Sequence, residues 1–67
     1  MLNMDEQSRL FLEKYLPEIL TSEDIVSSLD LLYIWIDKNG FAPPRYEDYN
    51  DLGEEAQRVY DDLYHSN

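Results

Sequence analysis

Apolar residues recur along the first segment at Phe11, Leu12, Tyr15, Leu16 and Ile19, with Arg9, Glu13 and Lys14 outside the set. Steps of three and four residues put that set on one stripe of a helix, since successive side chains are roughly 100° apart. The spacing predicts a first helix over residues 4–16. Asn3 is its expected N-cap, and Asp5 and Glu6 occupy the turn where the helix dipole favours negative charge. Pro17 lacks an amide hydrogen and its ring clashes with the carbonyl four residues back. The helix is therefore expected to end at Tyr15 or Leu16, with Pro17 opening a short turn.

Thr21-Ser22-Glu23-Asp24 reads as a second helix start, because Thr21 and Asp24 have capping-box spacing and acids fill the first turn. This helix is predicted over 22–39 and ends at Lys38-Asn39-Gly40, where Asn and Gly tolerate the left-handed conformation of a C-cap. Pro43 and Pro44 impose an extended connection, and the loop also carries Phe41, Tyr46 and Tyr49. A third helix is predicted over 51–64, capped by Asn50, with Leu52, Ala56, Val59 and Leu63 on one face. Gly53 inside it is a local penalty of about 1 kcal/mol relative to Ala. His65-Ser66-Asn67 is expected to fray. No segment shows the period-two alternation of a strand, and no repeat is present. The expected fold class is all-α, a small three-helix bundle with an aromatic, Pro-rich loop between helices two and three. Its first two helices are expected to be antiparallel neighbours, with the second central.

Length and composition narrow the function classes. A chain of 67 residues reads as a single domain over 1–67, of a size that buries only about 60% of its unfolded surface. It has no cysteine and one histidine, His65, which excludes disulfides and thiolate metal sites; neither a metal nor a cofactor is expected. A hydrophobic content of 43% and an aromatic content of 13% predict a folded chain despite the charge. No apolar run reaches membrane-spanning length, and Met1 to Glu6 lacks the features of a secretory signal, so the expected location is the cytoplasm. The formal net charge is −10. Nucleic-acid phosphates and anionic lipids would repel such a chain, whereas a basic protein surface would attract it. The bases Arg9, Lys14, Lys38, Arg45 and Arg58 are dispersed rather than clustered.

Two surfaces stand out. On the predicted second helix, Ile25, Leu29, Leu32, Tyr33 and Ile36 form the expected core face. Leu31, Ile34 and Trp35 project roughly 100–180° from its middle. They are either covered by the rest of the bundle or form a patch for a partner or a homodimer anchored by Trp35. On the third helix Asp51, Glu54, Glu55, Asp61 and Asp62 share an arc roughly 120° wide, opposite the apolar stripe. Only Arg58 interrupts it, with Glu54 and Asp62 in pairing range, and Glu47 and Asp48 extend the negative field. Glu54 and Asp61, like Glu55 and Asp62, are separated by about 10 Å along the axis. Such rows are either a solvated face or an imitation of duplex phosphates.

Catalysis finds little support. Paired-carboxylate chemistry needs a pocket and a buried acid, whereas these acids lie on predicted solvent faces. Asp37-x-Asn39 begins like a calcium loop, but Ala42 stands where the turn glycine belongs and Asp48 where the closing glutamate belongs. The segment Ile36-Asp37-Lys38-Asn39-Gly40-Phe41-Ala42-Pro43-Pro44, followed by Glu47-Asp48, resembles the connection after the first helix of bacterial winged-helix repressors. In that family the next helix lies near DNA; here it is acidic. The resemblance implies a helical relative without DNA binding. The expected function is a non-catalytic protein–protein interaction module, an acidic regulator or inhibitor docking on a basic partner surface. Duplex mimicry is one mode open to such a regulator, and in size and charge the chain is similar to the compact acidic proteins frequent among phages and mobile elements. The alternative is a small homo-oligomer joined through Leu31, Ile34 and Trp35, its acidity serving only solubility.

Overall fold

A computed structural model describes residues 2–40 and 49–67, and most of them are helical, with no strand among them. The elements are α1 (Glu6–Tyr15), α2 (Pro17–Leu20), α3 (Ile25–Asn39) and α4 (Asp51–Ser66). There are thus four helices among the described residues rather than three. Pro17 is the cause. It cannot continue α1, so Leu16 leaves helical geometry at φ −140° and ψ 62°, and Pro17 takes the first position of a new helix. Ile19 of α2 is fully buried and extends the apolar row of α1.

The helix starts show which of several candidate caps prevails. At α1 the cap is Asp5, not Asn3: its carboxylate accepts the Ser8 amide at 2.7 Å. At α3 it is Asp24, not Thr21, accepting from Val26 at 3.0 Å and Ser27 at 3.4 Å. Thr21 cannot serve, because an N-cap needs extended backbone and Thr21 closes α2 at φ −95° and ψ −4°. Asn50 caps α4 as its position predicts, accepting the Gly53 amide at 2.7 Å.

The core consists of Leu2, Phe11, Leu12, Leu16, Ile19, Leu32, Ile36, Ala56, Val59 and Leu63. The expected stripes on α1 and α4 therefore face inward. The central element is α4 rather than α3, for α4 packs against both α3 and α1. Two glycines permit this. A Cβ at Gly53 would overlap the Gly40 carbonyl, and one at Gly40 would lie 2.8 Å from the Ile36 carbonyl oxygen. Gly40 has φ −96°, so it serves close approach and not the left-handed cap that the sequence suggests. Asn50 fastens the same corner. Its backbone amide donates to Gly40 O at 2.9 Å and its side-chain amide to Asn39 O at 3.0 Å.

The opposite end of α4 is equally tied down. Helix α4 continues to Ser66, and the Asn67 side chain donates to Leu63 O and to Asn3 O at 3.0 and 2.9 Å. The expected frayed tail is therefore a clasp between Asn67 and Asn3. No helix among the described residues is long and apolar enough to cross a membrane.

Candidate functional site

The acids of α4 divide into two groups. Asp51, Glu54 and Glu55 are exposed, and their carboxylates have no hydrogen bond or ion pair among the described residues. Asp61 is also exposed and among the described residues accepts only from Gln57 on its own helix, at 3.2 Å. Asp62 is different. Its Oδ2 accepts from the Asp5 amide at 2.9 Å and from the fully buried Ser8 hydroxyl at 2.7 Å, while Oδ1 accepts from the Ser66 hydroxyl at 3.2 Å. Those bonds, that from the Asp5 amide foremost, hold its pKa below the ordinary carboxylate value, against desolvation and the nearby Asp5 charge. Asp62 is an internal strut between α1 and α4 and not part of the outward face.

Arg58 also departs from expectation. Its Nη1 donates to Asp5 Oδ2 at 3.1 Å, rather than to Glu54 or Asp62. The only arginine of α4, which has no lysine, is thereby committed to the α1 cap, leaving Asp51, Glu54, Glu55 and Asp61 without a salt bridge among the described residues. The Asp5 pKa is lowered, first by the Ser8 amide and hydroxyl and then by Arg58. Arg9 pairs with Glu6 and Glu13 along α1, and Lys14 lies 5.2 Å from the Tyr15 ring centre. Glu47 and Asp48 lie outside the described residues.

The apolar patch shrinks. Leu31 and Ile34 are 42% and 50% exposed, but Trp35 is half-buried against the core. Its ring packs on Phe11 at 5.5 Å, edge-on, and on Tyr15 at 5.4 Å, while Phe11 and Tyr15 are 4.8 Å apart. Trp35 thus joins α3 to α1. Tyr33, expected in the core, is instead 63% exposed.

That exposed ring helps to form a feature the sequence reading missed. Tyr33, Ile36 and Asp37 of α3, with Tyr49 and with Gln57 and Tyr60 of α4, line a groove of about 290 Å³. The Tyr49 hydroxyl donates to Gln57 Oε1 at 3.1 Å. The available signal was the spacing of Tyr33 to Asp37 and Gln57 to Tyr60, each pair on one side of its helix. Chemically, the face and the groove offer charge and aromatic surface. Ser8, the buried hydroxyl between α1 and α4, is a structural donor. Among the described residues no group of three histidine, aspartate or glutamate side chains is placed to hold a metal ion.

Comparison with protein-family models, curated proteins and solved structures returns no match to this chain.

Proposed function

We propose that this protein is a non-catalytic interaction module that docks the outward face of α4 on a basic surface of a partner protein, as a regulator or inhibitor. One observation carries the reading: Asp51, Glu54, Glu55 and Asp61 project from a single helix with no salt bridge among the described residues, because Arg58 is drawn away to Asp5. The face is mounted on the central helix, both ends of which are tied down, so its carboxylates keep their spacing. Glu54 and Asp61 are about 10 Å apart along the axis, close to three rises of a nucleic-acid strand. A basic groove built for phosphates is therefore the partner surface that fits. The test is affinity capture from the native host with the wild-type chain and with a variant carrying Asp51→Lys, Glu54→Lys, Glu55→Lys and Asp61→Lys. A partner lost on charge reversal and released by added salt supports the docking face. One retained equally by both forms would sink it.

A second reading is favoured by the exposure of Leu31 and Ile34. In it the chain self-associates through that side of α3 and its acidity serves solubility. Trp35, engaged with Phe11 and Tyr15, is no longer available as the anchor. Sedimentation at two salt concentrations separates the readings: a dimer indifferent to salt and abolished by Leu31→Asp would favour self-association.

A further inference from the structure

We infer that the groove between α3 and α4 receives a guanidinium group, an arginine side chain projecting from the basic partner. The inference rests on the proposed docking of basic partners and specifies which of the partner's side chains is read individually. The Tyr33 and Tyr60 rings in the groove supply faces whose quadrupoles attract cations. Asp37 supplies a carboxylate, and it makes no hydrogen bond or ion pair among the described residues. Among the described residues that line the groove there is no lysine or arginine to neutralise it. Asp30, seven residues before Asp37, lies on the same side of α3 and reinforces the negative potential.

Size and chemistry select the occupant. A volume of about 290 Å³ lies at the lower edge of the range for small-molecule sites, roughly 300–1,000 Å³. A single long side chain suits it better than a cofactor. Arginine suits it better than lysine, because a guanidinium is planar, weakly hydrated, stacks on aromatic rings and pairs in two-pronged fashion with a carboxylate. A lysine ammonium holds its water more tightly and cannot stack.

The experiment is an NMR titration of the full 67-residue chain at about 0.15 M salt, where exposed charges beyond about 8 Å are screened. The probes are the capped tripeptide Gly-Arg-Gly and its neutral citrulline counterpart. Ring resonances of Tyr33, Tyr49 and Tyr60 are expected to shift with the arginine peptide and not with the citrulline peptide. Asp37→Asn and Tyr33→Ala, both at exposed positions, are each expected to weaken binding at least about threefold. Unchanged amide spectra would show that the variants remain folded. Equal shifts with citrulline, or indifference to Asp37→Asn, would overturn the assignment. The two proposals fail separately. Arginine binding that depends on Asp37, alongside capture that ignores reversal of the α4 acids, removes the docking face and keeps the groove. Capture lost on reversal, with no response to the arginine peptide, does the opposite.

Discussion

Gly53 occupies the first turn of α4, where alanine ordinarily stabilises a helix by about 1 kcal/mol relative to glycine. Here the sign should reverse. The added methyl would meet backbone, the Gly40 carbonyl and Cα, and backbone cannot rotate aside as a side chain can. Overpacking of this kind costs roughly 1–3 kcal/mol. Gly53→Ala should therefore lower the urea midpoint, and an unchanged or raised midpoint would show that α3 and α4 are not in such close contact. Asn50, three residues earlier, permits a finer dissection. Asn50→Asp keeps the acceptor that caps α4 but loses the amide that reaches Asn39 O. Asn50→Ala loses both. Loss of a cap typically costs about 1 kcal/mol, so Asn50→Ala should destabilise by at least that much and Asn50→Asp by less. Equal losses would place the importance of Asn50 in the bond to α3.

The junction of α1 with the end of α4 depends on ionised carboxylates. Asp62 collects donors from α1, and Asp5 caps α1 while holding Arg58. Asp24 does similar work at α3, where the Ser27 hydroxyl, then its amide, lower its pKa. All three have folded values below the ordinary 3.8. Near that pH the unfolded chain binds more protons than the folded one, so stability rises with pH. Their contribution is present above 3.8 and is lost as pH falls through the lower folded values. Asp62→Asn should lower stability at pH 7 and flatten its decline between about pH 5 and 2. A decline as steep as wild type would assign the acid sensitivity to other groups. Asp62→Ala should cost about 1–3 kcal/mol, because it strips the acceptor from the buried Ser8 hydroxyl. Adding Ser8→Ala should recover part of that loss.

These elements also show what a linear pattern carries. The stripes Phe11-Leu12-Leu16-Ile19 and Ala56-Val59-Leu63 were legible because periodicity alone sets them, and Asn50 because its cap is local. Thr21 and Asp24 both satisfy the rules for a cap, and only the Pro17 helix decided between them. Tyr33 and Trp35 flank opposite sides of the α3 stripe, so a modest rotation of the helix exchanges one for the other. That rotation is fixed by α1 and α4, which the local pattern does not contain. The same holds for the acidic face. Its arc could be drawn from spacing, but the withdrawal of Asp62 and Arg58 requires knowing that α1 begins where α4 ends.

At the scale of the whole molecule, a net charge of −10 acts on folding and on binding with opposite signs. Like charges confined to a small volume repel one another and destabilise the compact state. Raising salt from about 0.01 to 0.15 M shortens the screening length from about 30 to 8 Å. That relieves repulsion within the fold, so the melting temperature should rise across this interval. Specific ion pairs weaken as well, but those between Arg9 and Glu6 or Glu13, and between Arg58 and Asp5, are exposed. Exposed pairs contribute little. Association with a basic partner should respond the other way, because the same screening removes the attraction that steers it. Thermal melting and partner binding measured over one salt series should therefore diverge. If both rose together, apolar contact through Leu31 and Ile34 would be the dominant mode of association. If the melting temperature fell with salt, the ion pairs would outweigh the self-repulsion, and the excess of acids could not be the controlling feature of the fold.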